Sequence, residues 1–352
     1  MTDSTQNYHF DFETEAKNFA DFIGTRADKV VYVDVGIDKQ RGRVSADKVL
    51  TGDQQLAAVV DQTMSSDLRI FAQQPGFSSF CKPVMVRGRD GRPQLLGSVL
   101  YFNQHQFATP LFGTKDQDMQ LLFTLCHEST HAIAQWETPS PNNAHPENIA
   151  DALAALLLLK RFGQDAVPFL QNLSLGRANM ALQAPTSATH LTSVMLDNII
   201  ADSQHEDFSK LSADQVMQRA QDYSAKWMPD DAAVQTIKQV AAEVAHSKGV
   251  TPDLTSWLMS TTSLSGYAPS NVALYVAAKS AAYNAAQVKG EFNHVAMKAE
   301  DAKAIIDRAA QLQPAALFNK YASQESGFKP EPASAPAAPR RPAYARAARL
   351  AA

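Results

Sequence analysis

The sequence predicts an α+β fold in which an N-terminal, twisted and mostly antiparallel sheet and a pair of polar-faced helices precede an all-helical C-terminal subdomain. Strand-like runs rich in β-branched and aromatic residues occur only before about residue 102. Two long helical segments then carry an unusual set of imidazoles and carboxylates. After Gly163 the composition turns helical throughout. The expected units are residues 1–163, a helical lobe at 164–325, and a tail at 326–352.

The first 28 residues read as a helix, from Glu13-Thr-Glu-Ala-Lys-Asn-Phe-Ala-Asp-Phe-Ile, that packs on the core. Strands are predicted at Lys29–Val35, Leu68–Ala72, Pro83–Arg87 and Leu95–Phe102 from their β-branched and aromatic content. Asp90-Gly91, between the last two, is a hairpin signal.

Residues 115–136 form a helix uninterrupted by Gly or Pro, and Met119, Leu122, Phe123, Cys126, Thr130 and Ile133 recur along one stripe. Thr114-Lys-Asp-Gln117 is its capping-box start. Within it stands His127-Glu128-Ser-Thr-His131. Imidazoles at i and i+4 share a helical face and can hold one zinc ion, while Glu128 lies where it can take a proton from a metal-bound water. This five-residue pattern also arises by coincidence in helices bearing His and Glu, so a further ligand is required.

That ligand is expected on the next helix. His145-Pro146-Glu147-Asn-Ile-Ala-Asp151 begins a segment opened by Pro146 and closed by Gly163. Glu147 and Asp151 share a face there. Zinc holding two nitrogens takes a carboxylate as third protein ligand, the role read for Glu147; a carboxylate behind a ligand imidazole fixes its tautomer, the role read for Asp151. Glu147 is otherwise an ordinary first-turn carboxylate at a helix N-terminus. Asp151, among almost wholly apolar neighbours, needs a buried partner under any reading. His145 is an alternative third ligand.

HExxH followed by ExxxD resembles the gluzincin branch of the zincin metallopeptidases, over about residues 80–163. The resemblance implies a zincin-like fold, zinc bound by His127, His131 and Glu147, Glu128 as general base, and Asp151 supporting a ligand histidine. Only fifteen residues separate His131 from Glu147, a tighter connection than in the best-known gluzincins, and the prolines and asparagines of Trp136–His145 suit such a turn. The metzincin pattern fails, because Ala134 and Glu137 occupy its Gly and His positions. In zincins an edge strand just upstream of the metal helix pairs with extended peptide, and the resemblance places Leu95–Phe102 near that edge. The alternative for that strand is a plain antiparallel sheet over the core.

Helices are then expected around 165–173, 189–203, 213–227, 231–246, 252–259, 269–289 and 297–311, with a capping box at Ser212-Ala-Asp-Gln215. Amide hydrolysis develops an oxyanion, which a donor from this half should meet. His190, after a Pro- and Ser-containing loop, is the first candidate; Tyr223, Tyr267, Tyr275 and Arg177 are unranked alternatives. His205, His246 and His294 sit among polar neighbours and read as surface residues.

With 352 residues, 45% of them hydrophobic and 19% charged, the chain can bury a large core. No apolar run reaches membrane-spanning length, and the first ten residues lack the basic and apolar parts of a secretory signal, so the expected location is cytoplasmic. Two cysteines, Cys81 and Cys126, exclude a disulfide framework, and Cys126 reads as a small buried residue. From Lys329 onward five basic residues and one acidic give +4, leaving −8 for the remainder of a chain whose total is −4. That Pro/Ala/Arg-rich tail is expected to be disordered and to contact, if anything, an acidic partner. Neither a phosphate-binding glycine loop nor a nucleic-acid fold signature occurs. The residues together read as a zinc-dependent hydrolase acting on peptide or protein. Its rivals are a zinc amidase or esterase for a small substrate, and a non-catalytic helical interaction protein whose metal site is structural or degenerate.

Overall fold

A computed structural model describes residues 8–38, 43–74, 78–104, 117–134, 144–264, 267–286, 295–312 and 317. Helix α1 (Phe12–Ile23) starts where Asp11 accepts a hydrogen bond from the Thr14 amide at 2.9 Å, and it ends at Gly24, whose φ of 62° few other residues tolerate. Strands β1 (Val30–Asp38) and β2 (Arg43–Leu50) follow, then helix α2 (Gln54–Gln73), strands β3 (Phe80–Arg87) and β4 (Pro93–Phe102). The four strands form one sheet in the order β2-β1-β4-β3, with β1 parallel to β4 and both outer pairings antiparallel. A turn with Gly91 at φ 76° joins β3 to β4, as Asp90-Gly91 predicts.

Alternation along the inner strands sorts their side chains into two layers. Val31, Val33, Val35, Val99 and Tyr101 pack with Leu56, Val60 and Phe71 of α2. Val30, Tyr32, Leu100 and Phe102 point the other way, into a core shared with α1 and with helices α3 (Gln117–Ala134) and α4 (Ala144–Phe162). The sheet is thereby a partition with α2 on one side and the paired polar-faced helices on the other.

Two strand expectations are corrected. Leu68–Ala72 lies in α2, because Leu56, Val60, Met64, Leu68 and Phe71 recur at three- and four-residue steps and lay one helical face on the sheet; a five-residue window concealed that period. Strand β4 is central, not near an edge: β1 pairs with it from Val30↔Ser98 to Asp34↔Phe102, and β3 flanks its other side. Its last six residues, Gly97–Phe102, are all buried, which explains a continuous apolar run where an edge strand would alternate. The edges are β2 and β3. Strand β2 escaped the sequence reading because Arg43-Val-Ser-Ala-Asp-Lys-Val-Leu mixes charges into a half-exposed pattern.

Beyond Gly163 the described residues hold helices α5 (Val167–Ala181), α6 (Ser193–Asp202), α7 (Ala213–Trp227), α8 (Asp231–Ser247), α9 (Pro252–Thr261), α10 (Pro269–Ala286) and α11 (Ala299–Ala309). Ser212 and Gln215 form the predicted capping box. The helix expected from 189 begins at Ser193, since Pro185–His190 is a 3-10 turn. Pro146 sits third in α4 instead of opening it. Helix α5 joins two cores: Phe169, Leu170 and Leu173 pack with α3, α4, α6 and α7, whereas Ala178 and Ala181 pack with α8, α9 and α10. No helix among the described residues is long and apolar enough to cross a membrane.

Candidate metal centre

Helices α3 and α4 pack side by side, and His127 and His131 of α3 meet Glu147 of α4. The Nε2 atoms of the two imidazoles are 3.0 Å apart. Glu147 places Oε2 at 3.5 Å from His127 Nε2 and Oε1 at 3.5 Å from His131 Nε2. These three residues form a group whose ligand atoms all lie within 4.8 Å of one another. A tetrahedral zinc with bonds near 2.0–2.1 Å holds its ligand atoms about 3.3 Å apart, close to the 3.0 Å between the imidazoles and the 3.5 Å from each imidazole to a Glu147 oxygen. Glu147 Oε2 is moreover buried and has no hydrogen-bond partner among the described residues. A carboxylate oxygen withdrawn from water in that way calls for a cation or a donor.

Asp151, fully buried one turn after Glu147, accepts from His127 Nδ1 at 2.7 Å. Arg177 of α5 donates to the same carboxylate through Nε at 2.8 Å and through an Nη at 2.6 Å, and the Thr192 hydroxyl donates at 2.6 Å. Burial opposes charge on Asp151, but Arg177 and His127 outweigh it and hold the carboxyl below the ordinary range. For His127 burial also opposes charge; the Asp151 hydrogen bond and the Asp151 and Glu147 charges prevail and lift its pKa to about 10. Glu147 shows the converse, with burial overcome by the two imidazoles, so that its pKa is lowered.

Glu128 follows His127 on the helix, and burial pushes its pKa up against the pull of both histidines. Helix position is anchored from the sheet: Ser98 of β4 donates to the Ala132 carbonyl at 3.1 Å. His190, at the end of the 3-10 turn, brings Nε2 to 3.5 Å from Glu147 Oε2 and lies half-buried. Burial and the Arg177 charge lower its pKa, which favours the neutral ring.

The geometry thus brings together His127, His131, Glu147, Asp151 and His190, with Glu128 beside them. The side chain of His145, the loop at 135–143, the capping sequence at 114–116, His294 and the tail lie outside the described residues. Among the alternatives to His190, Tyr223 donates to Asp202 at 2.5 Å and Tyr275 is bonded to Asp197, so both hydroxyls are committed away from the histidines. Tyr267 packs against the second core. Arg177 is engaged with Asp151. Its neighbours in Leu173-Ser-Leu-Gly-Arg-Ala-Asn-Met-Ala181 are mostly small or apolar, the same signal of a required buried partner that Asp151 gives. Thr192 has no such signal and was missed. His205 and His246 are exposed. Cys126 is buried, and burial raises its thiol pKa, which disfavours the thiolate.

No protein-family model, curated protein or solved structure matches this chain.

Proposed function

We propose that the chain is a zinc-dependent hydrolase of the gluzincin kind, acting first on peptide bonds. The observation that carries this reading is the convergence of His127 Nε2 and His131 Nε2, 3.0 Å apart, on the Glu147 carboxylate, each 3.5 Å from a different one of its oxygens. Two aromatic nitrogens and one carboxylate are a catalytic zinc donor set, in which a fourth position is left for water or substrate. The buried Glu147 Oε2, which makes no hydrogen bond and has imidazole nitrogens at 3.5 Å, supports the fit, as does the Asp151 bond that turns His127 Nε2 toward the shared point.

When bound, zinc supplies Lewis acidity that makes water nucleophilic near neutral pH and polarises the scissile carbonyl. The remaining tasks fall to side chains. Glu128 accepts the attacking water's proton on its carboxylate and returns it to the departing nitrogen; burial, by raising its basicity, suits it to both steps. His190, neutral and reaching in from the helical half, is the donor for the developing oxyanion.

The test combines metal analysis with digestion of a peptide library by the parent chain and by Glu128→Gln. One zinc per chain and Glu128-dependent cleavage are expected. A folded chain that takes up no zinc on reconstitution would overturn the metal reading and favour a non-catalytic protein. Glu128-dependent turnover of small amides or esters with every peptide intact would overturn peptidase activity alone.

A further inference from the structure

Asp151 is saturated. Oδ1 accepts from His127 Nδ1 at 2.7 Å and from an Arg177 Nη at 2.6 Å; Oδ2 accepts from Arg177 Nε at 2.8 Å and from the Thr192 hydroxyl at 2.6 Å. A carboxylate offers about four lone-pair sites, so no acceptor position remains for water or for a rotated pose. Three of the four bonds come from Arg177 and Thr192, which lie on α5 and immediately before α6, whereas the histidines and carboxylates lie on α3 and α4. Arg177 and Thr192 are themselves buried, at 6% and 0% exposure, so these bonds do not compete with solvent.

We propose that Arg177 and Thr192 are positioning residues of the metal centre, through which the helical half of the chain sets its affinity and geometry. Rotation of the Asp151 carboxyl about its Cβ–Cγ bond is blocked by the two-pronged Arg177 contact on one side and Thr192 on the other. With every other bond donated to it, Asp151 serves His127 only as an acceptor. Once the ring gives up its second proton to a metal, the remaining His127 hydrogen is therefore held on Nδ1, and the Nε2 lone pair so exposed is directed at the point shared with His131 and Glu147. Arg177 Nη also stands 3.4 Å from His127 Nδ1; as both are donors, the approach reflects convergence on one Asp151 oxygen. A metal site confined to α3 and α4 would need none of this. The inference rests on the metal reading above.

Thr192→Val keeps shape and removes one donor. Zinc affinity, measured by competition with a chromophoric chelator, is expected to weaken about tenfold, the lower end for loss of an outer partner of a ligand histidine. The visible spectrum of the cobalt-substituted protein should shift, and Thr192→Ser should restore both. Arg177→Lys, which cannot reproduce the two-pronged contact, should weaken zinc more than Thr192→Val does. A purely structural role predicts a different result: a lower melting temperature of the metal-free variants with parental zinc affinity and cobalt spectrum, and that overturns the proposal. Should Arg177→Lys fail to fold, the Thr192 pair still decides. A parent chain that takes up neither zinc nor cobalt would defeat the metal reading itself, whereas a parent that binds and variants indistinguishable from it would defeat this inference alone.

Discussion

His127 and His131 face each other with their Nε2 atoms 3.0 Å apart and their rings nearly perpendicular, at 86°. One helical turn separates them in the chain, so α3 delivers the pair by local geometry. Their common focus is completed by a carboxylate that arrives from another helix. Removing that carboxylate should therefore be as damaging as removing an imidazole. His131→Ala and Glu147→Ala are each expected to weaken zinc binding by more than the about 10–100-fold typical of outer partners. Calorimetric titration of the metal-free chain checks this, and a Glu147→Ala variant with parental affinity would remove Glu147 from the ligand set.

Glu128→Gln should separate chemistry from metal binding. The amide preserves size but is a poor base, so kcat is expected to fall by about 10²–10⁴-fold, the usual contribution of a positioned acid–base group, while zinc content stays at the parental level. Steady-state kinetics on a cleaved peptide, paired with metal analysis of the same preparation, provide the comparison.

His190→Ala tests the imidazole that approaches Glu147 from the helical half. Loss of one oxyanion donor typically costs about 10²–10³-fold in kcat, and the effect should fall on kcat more than on KM. Equal activity with and without this imidazole would leave it a neighbour of Glu147 and nothing more.

Zinc affinity should rise with pH. In the metal-free site the His127 pKa is lifted to about 10, so at neutral pH the ring is protonated and paired with Asp151 and Glu147. Metal binding must expel that proton. Each released proton makes the apparent dissociation constant fall about tenfold per pH unit below that pKa, and between pH 6 and 9 the slope should be about one decade per unit. A flat profile over that range would contradict the protonation state inferred here.

Gly97 of β4 predicts a stability effect remote from the chemistry. A Cβ there would stand 2.7 Å from the Lys29 carbonyl oxygen and 2.5 Å from a Leu56 methyl. The carbonyl belongs to backbone and cannot swing aside. Gly97→Ala is expected to destabilise the fold by about 1–3 kcal/mol, as overpacking in a well-filled core does, and thermal or denaturant unfolding measures it.

The hairpin at Asp90-Gly91, the capping box at Ser212, helix α7 over 213–227 and the two polar-faced helices were all legible in the chain, because each depends on contacts within a few residues. Sheet order was not. β4 reads locally like any strand, and only pairing with β1, 68 residues earlier, makes it central. Leu68–Ala72 was misread for a related reason, as its helical period emerges only when Leu56 and Val60 are counted with it.

At the candidate site the division is the same. Periodicity along α3 and α4 places His127 with His131 and Glu147 with Asp151, since side chains four apart on a helix share a face whatever surrounds them. That the two faces confront each other, that His190 approaches Glu147, and that Arg177 and Thr192 fill the remaining bonds of Asp151 are products of long-range packing. Those contacts join positions 16 to 50 residues apart in the chain, and the burial that makes them strong exists only once α3, α4, α5 and the start of α6 have closed around one another.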